Sequence, residues 1–245
     1  MRNHLSKNPT FSPLYQQIKV LLIKSLESSQ WKPGELMPSE TELAARYGVS
    51  QGTVRKAIDE LAAENLVIRQ QGRGTFVATH NGAKSEYRFL RLFSDESQQI
   101  KPKSHYQSIE RKHATTLIAN TLAIKSGEIV FVIKRVLTFD GIPQILDEIW
   151  LPAHQYKGLT LERLKQCNTT LYGFLESAFG VRMLRAVEHI KAVRAEEEHA
   201  LLLKIPTGEP LLRVERLSMT YSDQPVELRR GWYLTHHFSY QNELY

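Results

Sequence analysis

Two stretches of this chain read almost alike, and that duplication restricts its possible folds more than any other feature. LAIKSGE at Leu122–Glu128 returns as LLKIPTGE at Leu202–Glu209, so L-x-I-x-x-G-E recurs at an 81-residue offset. Each copy closes a helix-like stretch and leads into a long strand-like run. In both, an arginine follows the glycine by eight residues, Arg135 and Arg216. Each run then reaches a turn, Asp140-Gly141 or Ser222-Asp223, and a second strand that begins near Pro143 or Pro225. A helix–strand–hairpin–strand unit is thus written twice, separated by a helix, TTLYGFLESAFG, and a further strand, VRMLRAVEHIKAV. From about Ser104 onward the pattern predicts one antiparallel sheet with helices on a face, an α+β domain of approximate two-fold symmetry. The seam between the halves is a natural place for a concave site. On this reading Arg216 is the structural echo of Arg135.

The first 80 residues follow a different period. Leu14, Ile18, Leu21, Leu22 and Leu26 form a helical stripe, with Pro13 at its start. WKPGELMPS is a turn-rich connection. Ser39 and Glu42 make a capping box for a second helix that buries Leu43, Ala44 and Tyr47. YGVS is a tight turn, where Gly48 ends that helix and Ser50 caps a third. LVIRQ and GTFVA then flank a turn at Gln71–Gly74. The expected organisation is a unit over residues 1–78, a linker and leading strand over 79–103, and the sheet domain over 104–245.

The third helix has an unusual start. Val54, Ile58 and Leu61 give it an apolar face, while Gln51, Gly52, Thr53, Arg55 and Lys56 are polar or tiny. A merely solvated face would favour strong helix formers over a glycine that costs about 1 kcal/mol. Two helices joined by a short turn, the second polar at its start, form a helix-turn-helix pattern. The start of that second helix can enter the major groove, with Gly52 permitting close approach and Arg55 one turn beyond Gln51. Ser50 and Thr53 suit phosphates, and the hairpin tip QQGRG adds a cation between glycines.

Composition narrows the remaining classes. Among 245 residues, 42% apolar and 24% charged is a globular balance, and the net charge of +6 favours a polyanionic partner. The single cysteine, Cys167, excludes an internal disulfide and any C-x-x-C motif. No apolar run nears the roughly 18 residues of a membrane helix, and the N-terminus lacks a signal-peptide core, so a cytoplasmic protein without membrane contact is expected. Neither G-x-S-x-G nor H-E-x-x-H occurs, and GRG lacks the lysine and spacing of a phosphate loop. His236 and His237 are strand neighbours on opposite faces, unsuited to joint metal binding. No enzyme, cofactor or metal is expected.

Over Pro13–Ala78, P-S-E-x-E-L-A, V-S-x-x-T-V-R-K-A and G-R-G-T-F-V occur together in order and spacing. They resemble the winged helix-turn-helix of GntR-type bacterial transcriptional regulators. The second half is similar to the effector-binding UTRA domain of the HutC subfamily, which has a chorismate-lyase-like fold. It shows the L-x-x-x-x-G-E lead-in, R-x-x-x-x-D-G-x-P, the T-L-Y helix start and PVELRRGWYL.

The resemblance implies DNA contacts at Ser50, Gln51, Thr53 and Arg55, with Gln71, Gly72 and Arg73 on the wing, and Gly52, Lys56 and Thr41 complete the candidate DNA face. Relatives often carry arginine where Thr41 and Gln51 stand, and glutamine suits adenine better than guanine. It also implies effector contacts at Arg135, Asp147, Thr170, Tyr172, Ser94 and Phe238. Relatives that bind sugar phosphates have a second arginine where Leu137 stands, and a tyrosine can occur at the position of Phe238. A small carboxylate is therefore the expected effector, partly apolar or aromatic like the urocanate sensed by the subfamily's namesake. The expected protein is a homodimeric repressor, released from double-stranded operator DNA by that metabolite. A ligand-independent DNA-binding regulator and a chorismate-lyase-like enzyme stay open as alternatives.

Overall fold

Ile18, Leu22 and Leu26 decide which side of the first helix, α1 (Leu14–Glu27), turns inward. Leu14 and Leu21, expected in the same stripe, remain exposed. The computed structural model describes residues 12–80, 89–95 and 101–242. The chain divides into two units, Met1–Thr79 and His80–Tyr245. Part of the expected linker, residues 81–88 and 96–100, lies outside the described residues.

In the first unit, α2 (Glu40–Tyr47) starts at Ser39, whose hydroxyl accepts from the Glu42 N–H while the Glu42 carboxylate accepts from the Ser39 N–H. It ends at Gly48, which adopts the left-handed conformation at φ 65°. Leu43 and Ala44 are buried, whereas Tyr47 is half-buried under the Arg46 guanidinium. The third helix, α3 (Gln51–Ala63), is capped by Ser50 and buries Val54, Ala57, Ile58 and Leu61. Both α1 and α2 pack on it. The chain then forms an antiparallel hairpin of β1 (Val67–Gln70) and β2 (Gly74–Val77), with Gln70 opposite Gly74.

The second unit is built on a six-stranded antiparallel sheet. One half holds β4 (Lys103–His113), α4 (Thr116–Thr121), β5 (Ile129–Phe139) and β6 (Ile142–Pro152). After α5 (Leu161–Lys165) and α6 (Leu171–Phe179), the other half holds β7 (Arg185–Arg194), α7 (Glu197–Leu203), β8 (Pro210–Met219) and β9 (Pro225–Tyr233). The strand order β4-β5-β6-β9-β8-β7 makes the halves mirror one another across the β6–β9 seam. The duplication therefore extends beyond the repeated motif to a leading strand in each copy. Both hairpins turn through paired positive φ values, Asp140 at 48° with Gly141 at 81°, and Ser222 at 55° with Asp223 at 53°.

Alternation along the strands sends successive side chains to opposite faces. On one face, α4 covers Val130, Val132 and Trp150, and α7 covers Val136, Leu146 and Leu211. On the other, α5 and α6 cover Ile133, Ile149 and Leu151 at one end. At the opposite end a two-stranded pair, β3 (Leu92–Ser94) with β10 (Phe238–Tyr240), helps enclose Leu137, Ile145, Val214 and Tyr233. Between those two apolar clusters the same face carries Arg135, Asp147, Arg216 and Arg229, all buried. Among the described residues no helix is long and apolar enough to cross a membrane.

Candidate nucleic-acid interface and ligand cavity

The polar start of α3 is exposed at Gln51, Gly52, Arg55 and Lys56, so none of these side chains is spent on the core. Ser50 Oγ lies 2.8 Å from Thr53 Oγ1 and accepts from the Thr53 N–H at 3.2 Å. A groove of about 770 Å³ beside the hairpin brings Thr41, Gln51, Gln71, Gly72 and Arg73 together. The Arg73 guanidinium stands 5.7 Å from the Phe76 ring centre. Lys56 separates from this group, with its ammonium 4.0 Å above the Tyr15 ring of α1.

Sequence reasoning missed two residues here. Glu40 Oε2 accepts from Arg55 Nε at 2.9 Å and from Gln51 Nε2 at 3.3 Å, while Oε1 accepts from Arg69 Nη1 at 2.8 Å. Burial alone would raise the Glu40 carboxyl, but the hydrogen bonds and charges of Arg69 and Arg55 hold it below the usual carboxylate range. Arg69 also donates to the Arg55 carbonyl at 3.3 Å and pairs with Asp59 at 2.8 Å, fastening β1 to α3. Glu40 lies beside the flagged Thr41, but nothing local in the sequence shows that α2 delivers it to Arg55.

In the second unit a cavity of about 540 Å³ opens over the buried polar band of the sheet. Arg135, Asp147, Thr170 and Tyr172 all line it. Asp147 is fully buried and accepts from Arg135 Nε at 2.9 Å and Nη2 at 2.8 Å, and from Arg229 Nη1 at 3.4 Å. Arg135 Nη1 reaches the Ser104 hydroxyl at 3.3 Å. Thr170 caps α6 by accepting from the Gly173 N–H at 3.2 Å, which fixes the position of Tyr172 in the first turn. The Tyr172 hydroxyl donates to Glu227 at 2.8 Å, and burial raises its phenol above the ordinary value.

Ser94 and Phe238 are not part of the lining. They face each other across the β3–β10 pair, and Phe238 packs 5.2 Å from Phe139 as part of the core. Arg216, expected as a mere echo, does line the cavity, as does Arg229. Arg216 Nε donates to Glu188 at 2.6 Å, and its Nη2 donates to the Phe89 carbonyl. Arg229 chelates Glu227 at 3.1 and 3.0 Å; burial, the largest effect, works against its charge, but Glu227, Tyr172 and Asp147 together hold the guanidinium above its ordinary value. The loss of a cation at Leu137 thus leaves three guanidiniums, not one, around the cavity. The duplication carried the signal for Arg216, because two-fold symmetry sends Arg135 and its counterpart to the same sheet face.

Gly231 permits this packing. A Cβ there would stand 2.5 Å from Tyr233 Cε2 and 2.9 Å from Asp147 Oδ1, both buried. Gly231→Ala is expected to destabilise the second unit by about 1–3 kcal/mol, the usual range for overpacking. Urea unfolding should show a lower midpoint at unchanged slope, and an unchanged midpoint would contradict the packing described.

The comparisons with known proteins agree with this architecture. Residues 14–77 match the gntR family of bacterial regulatory proteins, and residues 97–239 match the UTRA domain. A histidine utilization repressor of Pseudomonas putida is 31% identical over 227 residues, covering 89% of this chain and 87% of that protein. An uncharacterized helix-turn-helix regulator of Bacillus subtilis, YurK, is 30% identical over 221 residues, covering 89% and 90%. The solved ligand-binding domain of a GntR-family regulator from Bordetella bronchiseptica is 45% identical with a TM-score of 0.64, covering 65% of this chain and 99% of that one. These matches describe a transcriptional regulator rather than an enzyme. The chain belongs to the GntR family, in the group of DNA-binding transcriptional repressors whose second half is a UTRA effector domain.

Proposed function

We propose that this protein is a homodimeric repressor whose operator affinity falls when a small anionic metabolite occupies the sheet cavity. One observation carries the reading: a cavity of about 540 Å³ whose floor holds three buried guanidiniums between two apolar clusters. Burying ion pairs is not required for stability and is often neutral or worse than apolar packing. The three guanidiniums are matched by Asp147, Glu188 and Glu227, and such a set suits an anionic ligand that takes over part of that pairing. Phe89, Leu137, Leu164, Leu171 and Tyr233 supply an apolar wall, which favours a carboxylate with an apolar or aromatic body over a sugar phosphate. The likeness to a histidine utilization repressor fits that class.

Helix α6 supplies a route from the cavity toward the chain leading to the first unit. Its start, from Thr170 to Tyr172, borders the cavity. One turn further on, Glu176 accepts the His80 N–H at 2.9 Å and pairs with Arg182 at 2.9 Å. His80 and Phe89 both pack against Tyr172, at 5.6 and 5.5 Å between ring centres. A ligand that binds one arrangement of this segment better than another shifts the population by that difference alone. Calorimetry with full-length protein should show binding of a small carboxylate, abolished by Arg135→Ala. Tight binding of a hexosamine phosphate, or carboxylate binding indifferent to Arg135, would contradict the proposed ligand class.

On the DNA side, Gln51 in place of the arginine of many relatives places an adenine in the half-site, since glutamine pairs bidentately with adenine N6 and N7. Site selection from a randomised duplex pool is expected to return guanine at that position for Gln51→Arg. Identical selected sites for the two proteins would mean that Gln51 reads no base.

A further inference from the structure

We propose that Glu40 is a positioning residue for sequence readout, holding the Gln51 amide and the Arg55 guanidinium in one fixed arrangement at the start of α3. The proposal rests on the reading of that helix start as the DNA-reading face.

Gln51 and Arg55 are one turn apart on α3 and would share a groove-facing side. Both reach back to a single oxygen, Glu40 Oε2, at 3.3 and 2.9 Å. Glu40 begins α2, a different element, so two base-reading side chains are tied to a fixed point outside their own helix. The anchor is itself fixed. Its side chain is 14% exposed against 57% for Arg55, and Arg69 holds its other oxygen at 2.8 Å.

The choice of atoms matters. Arg55 is gripped through Nε, which leaves the two Nη groups for a second partner, and a two-pronged donor of that kind fits guanine O6 and N7. Gln51 is gripped through one hydrogen of Nε2, so the amide is turned with its other hydrogen and its carbonyl available to adenine N7 and N6. Long side chains that must be ordered at the moment of binding lose affinity to that ordering. Prior restraint by Glu40 removes part of the loss, but only for bases at the geometry it enforces.

The electrostatics make the proposal testable, because they act in the opposite direction. A carboxylate on a surface that approaches phosphates opposes binding of any duplex. If Glu40 contributed only its charge, removing it would strengthen binding to all DNA. Glu40→Gln is nearly isosteric, and Arg69 retains Asp59 and the Arg55 carbonyl as partners, so the fold should survive.

The experiment is a titration of full-length wild type, Glu40→Gln, Arg55→Ala and the double variant. Each is measured against a duplex from randomised-site selection and a scrambled duplex of equal length. The expected result for Glu40→Gln is at least a 10-fold loss on the selected site, with affinity for the scrambled duplex unchanged or raised. In the Arg55→Ala background the same change should cost less than in the wild type, because only the restraint on Gln51 is then left to lose, and an undiminished loss would contradict the link to Arg55. Equal weakening on both duplexes would make Glu40 a structural residue, and strengthening on both would make it a plain charge, and either overturns the proposal. Normal selected-site affinity for Arg55→Ala would instead overturn the underlying assignment of the DNA face. Should Glu40→Gln fail to fold, Glu40→Asp carries the test, since it keeps the charge but shortens the reach. It should lower the ratio of selected to scrambled affinity, and an unchanged ratio would refute the proposal.

Discussion

Asp147→Ala should destabilise the second unit by about 3–5 kcal/mol, the cost of breaking a buried ion pair from one side. Asp147 has no exposed surface and faces Arg135 at 2.8 Å and Arg229 at 3.4 Å. Removing it leaves two guanidiniums, themselves 5% and 6% exposed, with less compensating charge in a region water hardly reaches. Arg229 keeps Glu227, so Arg135 bears most of the penalty. The change can be followed by tryptophan fluorescence during urea unfolding, since Trp150 and Trp232 lie in the second unit and Trp31 in the first. The expected outcome is an early transition for the second unit while the first keeps its own midpoint. A shift of less than about 1 kcal/mol would mean that water already reaches Asp147 and the buried ion cluster is not sealed.

Arg55→Ala should weaken specific operator recognition without altering stability. The side chain is 57% exposed and its partner Glu40 keeps Arg69, so the fold loses little. A surface substitution of that kind usually falls within about 0.5 kcal/mol. A bidentate contact to a base is worth about 1–3 kcal/mol of discrimination, which corresponds to a loss of roughly 5- to 150-fold on the selected site. Arg73 on the hairpin tip offers the contrast. If it meets phosphate, Arg73→Ala lowers affinity for all duplexes alike and reduces the salt dependence. Wild-type operator affinity in Arg55→Ala would remove α3 from the major groove.

The two levels of structure were legible to different degrees. Helix boundaries in the first unit follow from local chemistry, since Ser39, Gly48 and Ser50 act on backbone groups within three or four residues. The two-fold antiparallel sheet of the second unit was legible in the duplication, whereas its strand order, with the halves joined at β6 and β9, was not. What remained hidden depends on partners distant in sequence. Ser94 and Phe238 were carried over by resemblance, yet they meet each other across 144 residues in a pair of short strands that no local pattern announces. Arg216 was expected only as the echo of Arg135, until the register set it between Glu188 and Arg229 on the face that carries Asp147. Lys56 has the spacing of a groove contact, and its ammonium lies over Tyr15 of α1, a neighbour that spacing does not reveal. In each case a long-range pairing, invisible to periodicity, decided the outcome.

The central claim is that cavity and operator are coupled, and one titration tests it directly. Full-length protein bound to a fluorescently labelled, selected operator duplex is titrated with a panel of small carboxylates and with glucosamine 6-phosphate, and anisotropy is recorded. The account predicts that a carboxylate releases the duplex at concentrations tracking its calorimetric Kd. It also predicts that Arg135→Ala abolishes the release, and that operator DNA weakens carboxylate binding by the same factor, as linkage requires. A carboxylate that saturates the cavity while operator affinity stays unchanged would contradict the account.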